Sequence, residues 1–175
     1  LGVPDYSQAI IQHQAYIEAL KFCGLEVTVL EPCEDYPDST FVEDVALITP
    51  SCAIMTRPGA KSRRGEVEHI SSLLVSQFKY LETIDAPGTI EAGDIMMVGS
   101  HFYIGLSDRT NIQGANQLIA LLEKYGYTGS TVELKDVLHL KTGLSYLENN
   151  ILAICGEFKS DPIFAEFEQI EIPES

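Results

Sequence analysis

Basic residues are scarce in this chain: 11 Lys and Arg stand against 26 Asp and Glu in 175 residues, a formal net charge of −15. Such a surface repels phosphate backbones and anionic headgroups, which argues against nucleic acid and membrane partners and favours a cationic small molecule. No apolar run approaches the roughly 20 residues that span a bilayer, and no charged-then-apolar signal stretch opens the sequence. Cysteine is limited to Cys23, Cys33, Cys52 and Cys155, with no CxxC pair and no metal-ligand spacing to His13, His69, His101 or His139. These read as reduced thiols of a cytoplasmic protein, with no metal and no cofactor expected. Methionine is missing from position 1, where Leu1 stands, so a longer natural chain is expected.

What is present suits one globular domain: 45% hydrophobic and 21% charged residues supply a real core. Tyr6, Ala9, Ile10, Ile17 and Leu20 recur at helical spacing and Gly24 follows as a stop, so a helix is expected over 6–23. Leu25–Leu30 alternates with period two and predicts a strand. Residues 45–49 and 52–56 form an expected hairpin, 66–78 a helix and 80–84 a strand. The same order returns with a hairpin at 94–98 and 101–105, a helix at 111–125 and a strand at 131–134. It returns again with 144–147, 151–155, two helical turns at 161–167 and a strand at 169–172.

The first strands of these units begin at Val45, Asp94 and Leu144, roughly 50 residues apart, the mark of a repeat architecture. The expected fold is α/β, built from ββαβ modules at 45–84, 94–134 and 144–172, with 6–30 as the back half of another. A closed ring of such modules needs more chain, so 1–175 is expected to be one truncated domain.

Module connections return to one face, where polar loops can share a site. Asp38, Glu43 and Asp44 stand where a loop becomes a strand; taken alone they form a solvated turn. Glu91 and Asp94 flank small residues that admit close approach of a ligand. In Ser107-Asp-Arg-Thr-Asn111, Ser107, Asp108 or Thr110 suits a helix cap, and Arg109 could hold a carboxylate through its fork of donors. Arg63 belongs to a basic, turn-rich loop. His139, flanked by apolar residues, is by itself more often a core histidine than a catalyst. Carboxylates for a cation, arginines for a carboxylate and one proton carrier together suit a zwitterionic amino acid with a cationic side chain.

The ordered motifs Asp38-Ser-Thr-Phe-Val-Glu-Asp44, Thr56-Arg-Pro-Gly-Ala-Lys-Ser-Arg-Arg-Gly65, Glu91-Ala-Gly-Asp94, Asp108-Arg-Thr-Asn111 and Leu138-His-Leu-Lys-Thr-Gly143 resemble the dimethylarginine dimethylaminohydrolase family over the whole chain. The resemblance implies the α/β propeller, or pentein, fold of guanidine-modifying enzymes. It implies hydrolysis of Nω-methylated arginine to citrulline and a methylamine through a covalent cysteine intermediate. It makes His139 the general acid/base and Glu91 the group that polarises the guanidinium and orients His139. Asp44 would grip the guanidinium with Asp38 and Glu43 as neighbours, Arg63 and Arg109 would bind the α-carboxylate, and Asp94 would support them. The family's nucleophile lies beyond a further module, and none of the four cysteines falls at its place, so the nucleophile is expected to be absent here. An arginine deiminase or amidinotransferase relative, or a non-catalytic arginine-binding fragment, are the alternatives, and a homodimer is left open.

Overall fold

Asp5 opens helix α1 (Tyr6–Phe22) by accepting a hydrogen bond from the Gln8 amide at 3.0 Å. The helix stops in a Schellman motif: Gly24 takes a φ of +84°, its amide donates to the Lys21 carbonyl, and the Leu25 amide donates to that of Leu20. These residues belong to the first of two compact units, Leu1–Pro32 and Cys33–Ser175, in a computed structural model that describes residues 3–173. The strand expected at Leu25–Leu30 does not form. Alternation prepares two faces, but a strand is stabilised by the cross-strand partner it acquires.

The unit Cys33–Ser175 holds three sheets on one plan. β1 (Ala46–Ile48) pairs antiparallel with β2 (Ala53–Met55), helix α2 (Glu66–Gln77) follows, and β3 (Leu81–Thr83) returns parallel to β2. β4 (Ile95–Val98), β5 (His101–Leu106), helix α3 (Ile112–Glu123) and β6 (Thr128–Glu133) repeat that pairing. So do β7 (Leu144–Tyr146), β8 (Ile151–Ile154) and β9 (Glu168–Glu171), which follow the short helix α4 (Leu140–Gly143). The third connection lacks the α-helix expected at 161–167 and closes instead as 3₁₀ turns at Gly156–Ser160 and Pro162–Phe164. Pro162 has no amide to give, and Asp161 caps the turn by accepting from Ile163 at 2.9 Å. The β7–β8 hairpin turns through Glu148, Asn149 and Asn150, all at positive φ.

Each sheet buries a face against the next. One core cluster joins Ile54 of β2 and Ile84 after β3 to Phe102 and Ile104 of β5 and Leu118 of α3. A second joins Met96 of β4 and Val132 of β6 to Leu144, Leu152 and Phe164. Sharing of apolar faces between neighbours is what a repeat of small sheets requires, since three short strands cannot enclose a core alone. The same plan puts a helical turn before each first strand, at Val42–Val45 before β1, Ala92–Asp94 before β4 and α4 before β7.

Candidate active site

The turns before β1, β4 and β7 carry the charged cluster. Asp44 lies in the first, one residue before its end. Its main-chain carbonyl accepts from the Thr56 hydroxyl at 2.7 Å, fixing the entry to β1, and its side chain is buried. Oδ2 accepts from Arg63 Nη1 at 2.7 Å and Oδ1 from the Gly93 amide at 3.0 Å. A side chain at Gly93 would place Cβ 2.9 Å from Asp44 Oδ1 and 3.1 Å from the His139 ring, which explains why small residues separate Glu91 from Asp94.

Arg63 is buried at 5% exposure, and its guanidinium is used up within the protein. Nε and Nη2 donate to the Glu66 carboxylate, Nη1 to Asp44, and Nη2 also to the carbonyls of Asp38 and Phe41. Burial opposes its charge, but the Glu66 and Asp44 bonds outweigh that and raise its pKa above the ordinary arginine value. Glu66 was legible as a partner from its i+3 spacing at the start of α2, a signal the motif reading passed over.

Glu91 and Asp94 are fully buried. Glu91 Oε1 accepts from the Ala60 amide at 3.2 Å and lies 3.5 Å from Arg109 Nη1. Oε2 has no hydrogen-bond partner; it lies 3.7 Å from His139 Nε2 and 3.9 Å from Arg63 Nη1. Asp94 Oδ1 accepts from the Leu140 amide and faces His139 Nδ1, both at 3.1 Å, while Oδ2 accepts from the Ser107 hydroxyl at 2.7 Å. The bond to Asp94 raises the His139 pKa above its ordinary 6.5, burial pulls it back, and the charges of Asp94, Asp44 and Glu91 add to the rise. Asp94 therefore holds the imidazole on its Nδ1 side, and Glu91 Oε2 lies 3.7 Å from Nε2, beyond hydrogen-bond distance. The hydrogen bond to the imidazole is made by Asp94 and not by Glu91.

Asp38 and Glu43 are exposed, the former giving only its carbonyl to Arg63 and the latter pairing with Lys141. Arg109 is one-third exposed beside Glu91. The cap of α3 is Asn111, which accepts from the Gly114 amide at 2.8 Å; Ser107, Asp108 and Thr110 do not serve. Ser107 instead bonds Asp94, and the Thr110 hydroxyl accepts from the Glu91 amide at 3.2 Å. Asp44, Glu91 and His139 each bring one carboxylate oxygen or ring nitrogen within 4.8 Å of one another. Arg63 already lends that cluster a fixed positive charge, held against Asp44 at 2.7 Å.

Repeated ββαβ sheets with a charged cluster at the entry to their first strands define a pentein-type α/β protein. A family profile described as N,N dimethylarginine dimethylhydrolase, eukaryotic, matches residues 5–161. The chain is 59% identical over 175 residues to the N(G),N(G)-dimethylarginine dimethylaminohydrolase of Pseudomonas aeruginosa, covering 99% of this chain and 69% of that protein. It is 37% identical over 143 residues to the protein of the same name from Streptomyces coelicolor, covering 82% of this chain and 55% of that one. A solved structure of a cysteine-to-serine mutant of the Pseudomonas aeruginosa enzyme, complexed with citrulline, superposes with a TM-score of 0.96 over 98% of this chain and 68% of that one. The N-terminal domain of ArgZ, a cyanobacterial arginine dihydrolase, shares the fold at 18% identity, with a TM-score of 0.86 over 97% of this chain and 66% of that one. The chain belongs to the N,N-dimethylarginine dimethylaminohydrolase family of hydrolases.

Proposed function

We propose that these residues form the guanidinium pocket and proton-transfer half of a hydrolase acting on Nω-methylated arginine, giving citrulline and a methylamine. The observation that carries the reading is Glu91 Oε2, a fully buried carboxylate oxygen with no hydrogen-bond partner, facing His139 Nε2. An orphaned buried acceptor is costly, and a guanidinium N–H is the donor its charge and depth favour. The citrulline complex of the Pseudomonas aeruginosa relative supports the choice of substrate class.

In this reading Glu91 and Asp44 hold and polarise the guanidinium, and a thiolate attacks its central carbon. His139 protonates the departing amine from Nε2, then takes a proton from the water that displaces sulfur and leaves citrulline. Asp94 keeps the imidazole turned for both transfers. Arg109, one-third exposed beside Glu91, receives the α-carboxylate. Arg63 we assign to holding Asp44 rather than to the α-carboxylate, because its donors are already engaged. Asp38 and Glu43 lie at the exposed rim.

We assign the thiol to none of the four cysteines here. Cys52 is buried against Thr49 and Cys155 reaches only the Thr142 carbonyl at 3.8 Å, while Cys23 and Cys33 make no side-chain hydrogen bond among the described residues. None of these thiols is directed at the cluster by a bond. From the four free thiols we infer a cytoplasmic protein, and sedimentation tests whether it forms a homodimer; no helix of the described residues is long and apolar enough to cross a membrane.

Glu91→Gln is expected to weaken binding of arginine-like ligands by roughly 10- to 150-fold, the range of about 1.5–3 kcal/mol for a charge-assisted bond. Calorimetry on wild type and variant reads it, and equal affinities would reject Glu91 as the guanidinium acceptor. Arg109→Ala is expected to raise KM with kcat little changed; a loss confined to kcat would move Arg109 away from the carboxylate. The activity itself is tested by incubating the intact gene product with dimethylarginine and measuring citrulline. More citrulline from unmethylated arginine would point to a deiminase.

A further inference from the structure

Ser107 has no place in the reaction as written above, yet its hydroxyl is a junction. It accepts from the amides of Arg109 at 3.0 Å and Thr110 at 3.1 Å, and donates to Asp94 Oδ2 at 2.7 Å. The turn is closed by the Ser107 amide on the Thr110 carbonyl at 3.0 Å. Thr110 holds the Glu91 amide. One tight turn thus ties together the backbone of Arg109, the backbone of Glu91 and the carboxylate of Asp94.

A serine hydroxyl has two acceptor sites and one proton. With both amides pointing at the oxygen, that proton is committed to Asp94. Asp94 is fully buried, and its single charged partner among the described residues is His139. Its negative charge is therefore shared among the Ser107 hydroxyl, the Leu140 amide and His139 Nδ1. Each neutral donor on a carboxylate disperses its charge, which weakens its hold on the imidazole proton.

We propose that Ser107 is a positioning residue for proton transfer, setting the direction and strength of the Asp94–His139 bond from the same turn that carries Arg109. This rests on the reading of His139 as the proton carrier. The geometry gives the two ends of one amino-acid substrate a common support: the turn that presents Arg109 to a carboxylate also braces the carboxylate that orients the imidazole.

The sign of the effect follows from the groups around His139. Asp94 and Glu91 face it from the turn before β4 and Asp44 from the turn before β1, with Arg63 behind Asp44 and Arg109 behind Glu91. Ser107→Ala removes a neutral donor and leaves all these charges in place. The Asp94 charge then concentrates on its remaining donors, and His139 keeps its proton to higher pH. Asp94→Asn removes the charge and acts in the opposite direction.

The test is an NMR titration of the His139 ring in the free chain, with its resonance identified by its loss in His139→Gln. We expect an upward shift of the titration midpoint in Ser107→Ala, a wild-type midpoint in Ser107→Thr, and a downward shift in Asp94→Asn. A midpoint that stays in place or falls in Ser107→Ala, with the amide spectrum still folded, overturns the proposal. A hydroxyl that only closes its turn would lower the melting temperature without moving the midpoint. If Ser107→Ala does not fold, Ser107→Cys decides: the thiol is a weaker donor of similar size, and the proposal requires a smaller shift upward. No substrate or turnover enters this measurement, so its failure is separate from failure of the enzymatic reading, which shows in the turnover of His139→Ala.

Discussion

In the intact protein, His139→Ala is expected to lower kcat by roughly 10²- to 10⁴-fold, the usual contribution of a positioned acid/base, with a much smaller change in KM. Both proton transfers in the proposed reaction pass through Nε2, and the described residues place no second imidazole beside Glu91. Stopped-assay citrulline formation on wild type and variant measures it. Turnover close to normal would remove His139 from the mechanism. The variant has a second signature. Because the folded-state pKa of His139 is raised above its ordinary 6.5, the stability it contributes is fully present below about pH 6.5 and is lost as pH rises through the higher folded value. That slope should be missing from urea unfolding of His139→Ala.

Arg63→Ala is expected to cost about 3–5 kcal/mol of folding stability, the range for removing one member of a buried ion pair. The loss strands Asp44 and Glu66, both buried, and withdraws the donor that also holds the Asp38 and Phe41 carbonyls. Lysine is no remedy: an ammonium cannot reproduce a planar fork that meets Glu66 on one side and Asp44 on another. Arg63→Lys should recover only a part of the loss. Urea midpoints for the three proteins give the comparison, and a cost below about 1 kcal/mol for alanine would show that Glu66 and Asp44 find other donors.

The strands of the unit Cys33–Ser175 were legible because each is bounded by a turn and each recurs. β4 and β5 begin and end within a residue of the hairpin arms expected at 94–98 and 101–105. The strand expected at Leu25–Leu30 shows the limit of that signal, since alternation says nothing of whether a partner lies alongside. The helical turns before β1, β4 and β7 are three or four residues long, too short to show a period. Those turns are what converge Asp44, Glu91, Asp94 and His139. Residue types pointed to carboxylates and arginines, but not to which arginine was already taken. Arg63 and Arg109 look alike in sequence; one is enclosed by Glu66 and Asp44, and the other stands beside Glu91 with a third of its surface free. Ser107 drew notice as a helix cap because capping is the commoner use of that pattern, and its bond to Asp94 bridges 13 residues that no local rule connects.

The bonds that join the three helical turns are distant in sequence: Gly93 to Asp44 spans 49 residues, His139 to Asp94 45 and Leu140 to Asp94 46. Local hairpins can close in microseconds, whereas contacts of this separation must first meet the entropy of a long loop. The charged cluster is therefore expected to form late on the folding pathway, once neighbouring sheets have docked. Run in reverse, the same order makes the cluster an early point of opening: a partial separation of two sheets would disconnect His139 from Asp94 while every sheet kept its own ladder. Loss of function under mild denaturant should precede loss of secondary structure in this architecture.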